Sequence, residues 1–421
     1  MAAQPEQSTI FSFEQARAIV EDHASRSRPR GRELLGLLDA VERILAEPIA
    51  ADRDFPPFPR ATRDGFALRA ADLAQLPAEL TIIGEIRAGG SSPASMLQSG
   101  EALSIMTGAP VPAGADAVIM VEHTSRSGNR VQVAKRVAPG ENIVPAGAEA
   151  KHGEKLLSPG ARIGYAEIAL AAAVGRTRLL IYSKPRVAVL STGDEVVDID
   201  VPPAPNQIRN SNSYSLAAQI KSAGGDPILL PIAPDEPNRL RELLLEGLES
   251  DLLVITGGVS MGKYDLVEQV LAEAKAEFFI TGAQIQPGKP VVFGRVPYHA
   301  DASAGEGDKH KYFFGLPGNP LSTMVTFELF AKPMLQALAG LTPQKLVFTR
   351  ARLKSEIRTK TGLKRFLPAV LSGEFENCEV ELVHWQGSGD LGSIARANCF
   401  IVIPPDRERI ESGEWVSVLL R

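Results

Sequence analysis

The chain has 421 residues, 44% hydrophobic and 23% charged, with 45 basic against 50 acidic side chains and a net charge of −5. That length suggests about three domains. The acidic balance argues against a nucleic-acid partner, whose phosphates need a basic stripe. Cys378 and Cys399 are too few for a disulfide framework or a cysteine-rich metal site, and each reads as a small core hydrophobe.

The N-terminal run MAAQPEQSTIFSFEQ lacks the basic and apolar regions of a signal peptide. No apolar stretch reaches the ~20 residues of a membrane span, so the expectation is a soluble, cytoplasmic protein with no membrane partner. Ser12 and Gln15 make a capping-box start to the first helix. Leu34, Leu35, Leu38, Val41, Ile44 and Leu45 follow helical spacing and predict one apolar stripe. From Ile49 the texture changes to prolines at 56, 57 and 59, an Asp64-Gly65 turn and β-rich runs such as LTIIGEI and DAVIMVE. This predicts an all-β insert ending near Ala148, after which RIGYAEIALAAAVG returns to helix and resumes the earlier domain.

From Arg186 to about Leu335 strands and helices alternate, the pattern of an open, mostly parallel sheet with helices on both faces. Within it HADASAGEGDKH, His299–His310, reads as a mobile hairpin tip without chemistry. The last eighty or so residues alternate apolar and polar (EVELVHW, CFIVIP, EWVSVLL) and predict a small β-barrel or sandwich. The expected domains are 10–48 with 149–182, 49–148, 183–338 and 339–421.

The chemistry concentrates in loops that leave strands. DLLVITGGVSMGKYD, Asp251–Asp265, reads as a buried strand, a glycine turn and a helix capped by Asp265. Such a turn opens unpaired N–H groups and a positive dipole end toward an anion. A second turn, PGNPLS, follows a strand ending at Leu316, with Asn319 as N-cap and Pro320 as first helical residue. RVAVLSTGDE repeats the design with Asp194 and Glu195 at its exit, and QPGKP (Gln286–Pro290) lies between the two. One helix end contributes roughly 0.3–2 kcal/mol toward an anion, against about 8 for micromolar binding. Several loops must therefore converge, and exits of one parallel sheet share an edge.

TGGVSMGKYD, IQPGKP, FGLPGNPLST, AVLSTGDE and NQIRNSNSYSLAA, in this order and spacing, resemble molybdopterin molybdenumtransferases, the bacterial MoeA family related to the gephyrin E domain. FPRATRDGFALRAADL, IMTGAPVPAGADAVIMVE, PGENIVPAG and WQGSGDLGSIARANCFIVIP extend the likeness over essentially the whole chain. The resemblance implies a multidomain α/β plus β fold. Its parts are an open three-layer α/β domain of molybdopterin-binding type, a β-rich insert, a helical dimerisation region and a C-terminal β-barrel. It implies a homodimer that inserts molybdenum from molybdate into adenylated molybdopterin, with release of AMP in a divalent-cation-dependent step, Mg2+ being the first choice.

Carboxylates holding such a cation neutralise charge crowded on a phosphoanhydride. The resemblance assigns that role to Asp194, Glu195 and Asp265, with Glu195 and Asp265 the stronger pair, and adds Asp64 and Lys289 as catalytic residues. Lys289 is a compact charge suited to molybdate. The substrate set implied is Thr107, Arg209, Asn210, Thr256, Gly257, Gly258, Ser260, Gly288, Pro317, Gly318, Asn319, Pro320, Ser322 and Ser388. Arg209 reads equally as a phosphate ligand or a loop pin. Asp235 falls on a family acidic position without a derived role. The family's dimer would bring Asp64 and Thr107 over the partner's α/β domain.

Three departures bear on the anion path: Gln286 stands where a lysine is frequent, and Leu363 and Pro368 where many members place arginines. Lys364 or Arg365 could substitute. Two rival functions are the neighbouring molybdopterin adenylyltransferase, which is also a candidate partner, and a non-enzymatic gephyrin-like scaffold. The GGVS turn, the insert and the barrel separate this chain from the first. The retained carboxylates and Lys289 separate it from the second.

Overall fold

The computed structural model describes residues 10–90, 95–258, 266–297 and 310–421. The strand exits that carry the candidate chemistry belong to a six-stranded sheet. Its strands, in spatial order, are Asp226–Leu229, Arg186–Ser191, Leu252–Thr256, His310–Leu316, Val292–Pro297 and Glu277–Ile280. The first four run parallel, and the Val292–Pro297 strand is antiparallel to both of its neighbours. Strands such as LLVIT and VAVLS are buried throughout because helices cover both faces, which is why they read as unbroken apolar runs.

One face packs Leu216 and Ile220 of the Ser211–Ser222 helix against Val187, Val189 and Val254. The other packs Leu240, Leu243 and Leu244 of the Pro237–Leu248 helix against Ala188, Leu190 and Ile255. Phe293 and Phe314 stack in the centre at 4.6 Å and are fully buried. Each such side chain contributes about 1.5–3 kcal/mol by leaving water. The Arg186–Ser191 strand connects outward to Asp226–Leu229, and the chain then crosses back to Leu252–Thr256. The strand order therefore reverses there, the place where open α/β sheets bind ligands.

The first helix spans Phe13–Arg26 and starts with the expected capping box of Ser12 and Gln15. Its Phe13, Ala16, Val20 and Ala24 join the core of the α/β sheet. The helical stripe expected from Leu34 to Leu45 does not form. Arg32–Gly36 is a strand pairing antiparallel with Arg178–Tyr182, followed by a short 3-10 turn at Leu38–Ala40. Pairing with a strand about 145 positions later overrides a local period of only three turns. Leu34, Leu38 and Val41 of that stripe are exposed. The region returns to helix at Tyr165–Ala173, as expected.

The β-rich segment between these halves forms a six-stranded sheet in the order Ala117–Met120, Gly65–Leu68, Glu101–Ile105, Ala78–Ile86, Arg130–Val133 and Thr124–Ser127. In the C-terminal part, Lys364–Ser372, Glu379–Leu382, Phe348–Leu353, Trp415–Leu420 and Cys399–Ile403 pair in sequence. Cys399–Ile403 then pairs back on Lys364–Ser372, closing a five-stranded barrel. Closure leaves no open edge. Cys399 is fully buried inside it, and burial pushes its thiol up to about 11; Cys378 is half-buried. His310 begins a strand, whereas the rest of the expected hairpin tip lies outside the described residues.

Candidate active site

Three strand exits are laced side by side at the reversal point. The Thr192 N–H donates to Thr256 O at 3.0 Å, and the Gly257 N–H donates to Leu316 O at 3.2 Å. Gly257 has φ +87°, and a Cβ there would lie 2.7 Å from Thr192 O, so only glycine fits this approach. Gly258 also turns with positive φ, at +60°. The Thr256 hydroxyl donates to Pro317 O at 3.2 Å, and the Thr323 hydroxyl donates to the same carbonyl. A Cβ on Gly318 would sit 3.6 Å from Gly257 Cα, placing the two glycine turns in van der Waals contact. The convergence expected of Thr256, Gly257, Gly258, Pro317 and Gly318 is thus built into the backbone.

The residues between and behind these turns were not all foreseen. Asn212, in the first turn of the Ser211–Ser222 helix, donates to Thr256 Oγ1 at 2.9 Å and to Gly318 O at 2.8 Å. Its Oδ1 is buried without a hydrogen-bond partner, as is Thr192 Oγ1. Each unpaired buried acceptor or hydroxyl costs about 1–3 kcal/mol, and such groups collect where a ligand completes them. Asn212 lies within NQIRNSNSYSLAA beside Arg209 and Asn210, and within that motif only its polarity in the first turn of a helix distinguishes it. Asn210 is buried and caps that helix: its Oδ1 accepts from Ser213 N–H and Ser191 Oγ. Arg209 donates from Nε to Ile199 O at 3.1 Å, a loop-pinning contact.

The STGDE exit carries the acidic set. Asp194 Oδ1 accepts from Asp235 N–H at 3.0 Å, and Gly193, at φ +124°, lies beneath the Glu195 carboxylate. Burial, then the charges of Asp194 and Glu195, hold the Asp235 carboxyl above the usual carboxylate range. This gives Asp235 a place: it is the third carboxylate of one negative field. The donor set is all oxygen and surplus in negative charge, which suits a hard divalent cation. Among the described residues no group of three or more His, Cys, Asp or Glu side chains stands in a metal-holding arrangement. Asp265 and Ser260 lie outside the described residues.

The QPGKP loop is fixed from below. Gly288 turns at φ +102°, and a Cβ there would fall 2.3 Å from Thr326 Cγ2. Lys289 is exposed while its carbonyl accepts from Ala283 N–H at 3.0 Å. Ile285–Gln286 pairs parallel with Lys364–Arg365 of the barrel. Arg365 is thereby set opposite Gln286, buried, with a hydrogen bond to Leu363 O and no ion pair among the described residues. Burial lowers its pKa. Lys364 instead pairs with Glu14 over the Phe13 ring.

At the other glycine turn the helix begins at Pro320 as expected, with Asn319 in the N-cap position. Its side chain makes no cap hydrogen bond and is exposed, because Ser388 O fills the end by accepting from Leu321 N–H at 2.9 Å. Ser322 is buried in the same turn, and its carbonyl accepts from Thr326.

Asp64 and Thr107 meet each other in the insert. The Thr107 N–H and hydroxyl donate to Asp64 Oδ1 at 2.6 and 2.9 Å, and these bonds hold the Asp64 carboxyl below its usual range. Both follow from adjacent strands in which Gly65 opposes Ile105. Among the described residues, no hydrogen bond or ion pair of either residue reaches the α/β domain of the same chain.

Known proteins match this architecture along its length. Family models described as "MoeA N-terminal region (domain I and II)", "Probable molybdopterin binding domain" and "MoeA C-terminal region (domain IV)" match residues 11–175, 188–337 and 350–420. The molybdopterin molybdenumtransferase of Nostoc sp. is 36% identical over 396 residues, 92% of this chain and 88% of that protein. The chain belongs to the MoeA family. The molybdopterin molybdenumtransferase of Bacillus subtilis is 33% identical over 398 residues, covering 92% of this chain and 89% of its own length. A crystal structure of the molybdopterin biosynthesis MoeA protein of Pyrococcus horikoshii OT3 superposes with a TM-score of 0.78 at 29% identity, covering 98% of this chain and 100% of that one. The closed barrel and the α/β domain are therefore the family's own parts.

Proposed function

We propose that this chain is a molybdopterin molybdenumtransferase, inserting molybdenum from molybdate into adenylated molybdopterin and releasing AMP. The observation that carries the reading is the edge where three glycine-bearing strand exits meet beside the Asp194, Glu195 and Asp235 carboxylates. Backbone N–H groups and the Thr192 hydroxyl offer donors to phosphate oxygens there, and the free Asn212 Oδ1 can accept from an N–H or O–H of the ligand. A divalent cation, Mg2+ by choice, would be held by Glu195 and Asp194 with Asp265 and would neutralise charge on the phosphoanhydride. Lys289, with Arg365 behind Gln286, supplies positive charge for molybdate. No described helix is long and apolar enough to cross a membrane, and the cytoplasm is the proposed setting. An adenylyltransferase must supply the substrate and is the partner class implied.

The working unit in this proposal is a homodimer in which Asp64 and Thr107 of one chain serve the α/β loops of the other. Two observations support it. The Asp64–Thr107 pair has no bond to its own chain's α/β loops among the described residues. The first region also exposes Leu38 at 81% and Tyr165 at 93%, large apolar side chains that a second copy would cover. Incubating the purified protein with adenylated molybdopterin, molybdate and Mg2+ should release AMP. No release with any divalent cation overturns the reading.

A further inference from the structure

At the other end of the same sheet, where the strands begin, the chain builds a cavity of about 240 Å³. Arg28, Arg30, Lys184 and Arg186 line it, with Asp251 the lone carboxylate and Leu338 on the apolar wall. Two segments meet to form it. The chain leaving the Phe13–Arg26 helix is joined to the segment entering the Arg186–Ser191 strand by the Ser183 N–H donating to Gly31 O at 3.0 Å. Gly31 is needed there, since a Cβ would fall 2.7 Å from Ser183 Oγ. Asp251 is already engaged: Oδ2 accepts from Arg186 N–H at 2.8 Å, and Oδ1 lies 3.6 Å from Arg30 Nε. Arg28 donates to the Ser25 and Ser27 carbonyls, and among the described residues Arg28 and the exposed Lys184 and Arg186 have no side-chain ion pair. Four cations against one carboxylate make a local excess of three positive charges in a chain whose total is −5. Behind the wall, buried Lys311 donates to Ser250 O at 2.7 Å; burial, then Arg30, holds its ammonium below the usual range.

We propose that this cavity is an anion site that takes a small molecule bearing a phosphate or pyrophosphate group. Guanidinium forks and a lysine point charge gathered around one open hollow are the groups that recognise phosphoryl oxygens. Arg186 and Asp251 open the strands whose far ends carry Thr192 and Thr256, so the cavity stands about 16 Å from the strand exits. One small ligand does not reach both. The test uses the full chain at low salt and inorganic pyrophosphate as probe, titrated by calorimetry. Lys289→Ala removes charge from the strand-exit edge, so binding that persists in that background reports the cavity. Adding Lys184→Gln and Arg186→Gln should weaken that binding by roughly tenfold for each cation removed. In the otherwise wild-type chain the same pair should leave AMP release and the melting temperature unchanged. If the double variant melts early, exposed Lys184→Gln alone is titrated. Equal affinity with and without these cations, or no binding in the Lys289→Ala background, overturns the proposal.

Discussion

The α/β edge and the β-rich insert offer opposite kinds of candidate site. At the edge, every turn is interlocked: Gly257 is wedged against Thr192, Pro317 O receives two hydroxyls, and Gly288 is pressed on Thr326. In the insert, Asp64 and Thr107 are exposed and bonded to each other alone by their side chains. The edge is preorganised by its own fold. The insert pair is oriented, and among the described residues it has no bond to the α/β loops of its own chain. Function at the first should be inseparable from stability, and at the second almost independent of it.

The largest expected effect on activity without loss of stability is at the insert. Asp64→Asn should lower AMP release by 100-fold or more, about 2.7 kcal/mol in the barrier, while leaving the melting temperature within a degree. A large drop in melting temperature would make Asp64 a structural residue and erase the contrast. Next come two glycines. Gly257→Ala combines an unfavourable φ of +87° with a 2.7 Å approach to Thr192 O, for a loss of about 3 kcal/mol and of activity together. Gly108→Ala, beside Thr107, has φ +82° but nothing within 4 Å, and should cost only about 1 kcal/mol. Denaturant unfolding of both variants would reverse the comparison if Gly108 proved the costlier.

The contrast sharpens across chains. Asp64→Asn mixed in equal amounts with Asp265→Asn and allowed to exchange should recover about a quarter of wild-type AMP release. Half of the dimers are then mixed, and each holds one intact site. Inactivity with exchange confirmed by native mass spectrometry would place both residues in one chain's site. The smallest effect belongs to the α/β side. Burial, followed by Arg295, depresses the pKa of His23, which stacks on Phe279 at 4.0 Å. As pH falls through about 6.5, the unfolded chain takes up that proton first, so stability falls below this point and is recovered above it. The melting temperature between pH 7 and 5 should fall by roughly 1–2 °C less in His23→Gln than in wild type.

Long-range pairing separates what the sequence discloses from what it conceals. Buried strands such as LLVIT, glycines at their exits and the alternation near the C-terminus are local signals, and the sheet, its reversal point and the barrel follow from them. The run from Leu34 to Leu45 misleads because its partner, Arg178–Tyr182, is remote. Asn319 sits at its helix start, but Ser388 from the barrel occupies the amide. Thr192 and Asn212 lie inside AVLSTGDE and NQIRNSNSYSLAA without being marked out there; they become conspicuous only once burial leaves an oxygen of each unpaired. Arg365 likewise gains meaning from facing Gln286 across a two-residue parallel pairing.

That small pairing has a temporal side. Ile285–Gln286 finds its strand partner in Lys364–Arg365, and the Leu321 amide finds its acceptor in Ser388. Both partners lie after every strand of the α/β sheet in the chain, so they leave the ribosome later than the sheet does. The loop that carries Lys289 therefore gains its barrel contacts only after the sheet's own strands are all available, and those two contacts are the last part of the edge to be completed.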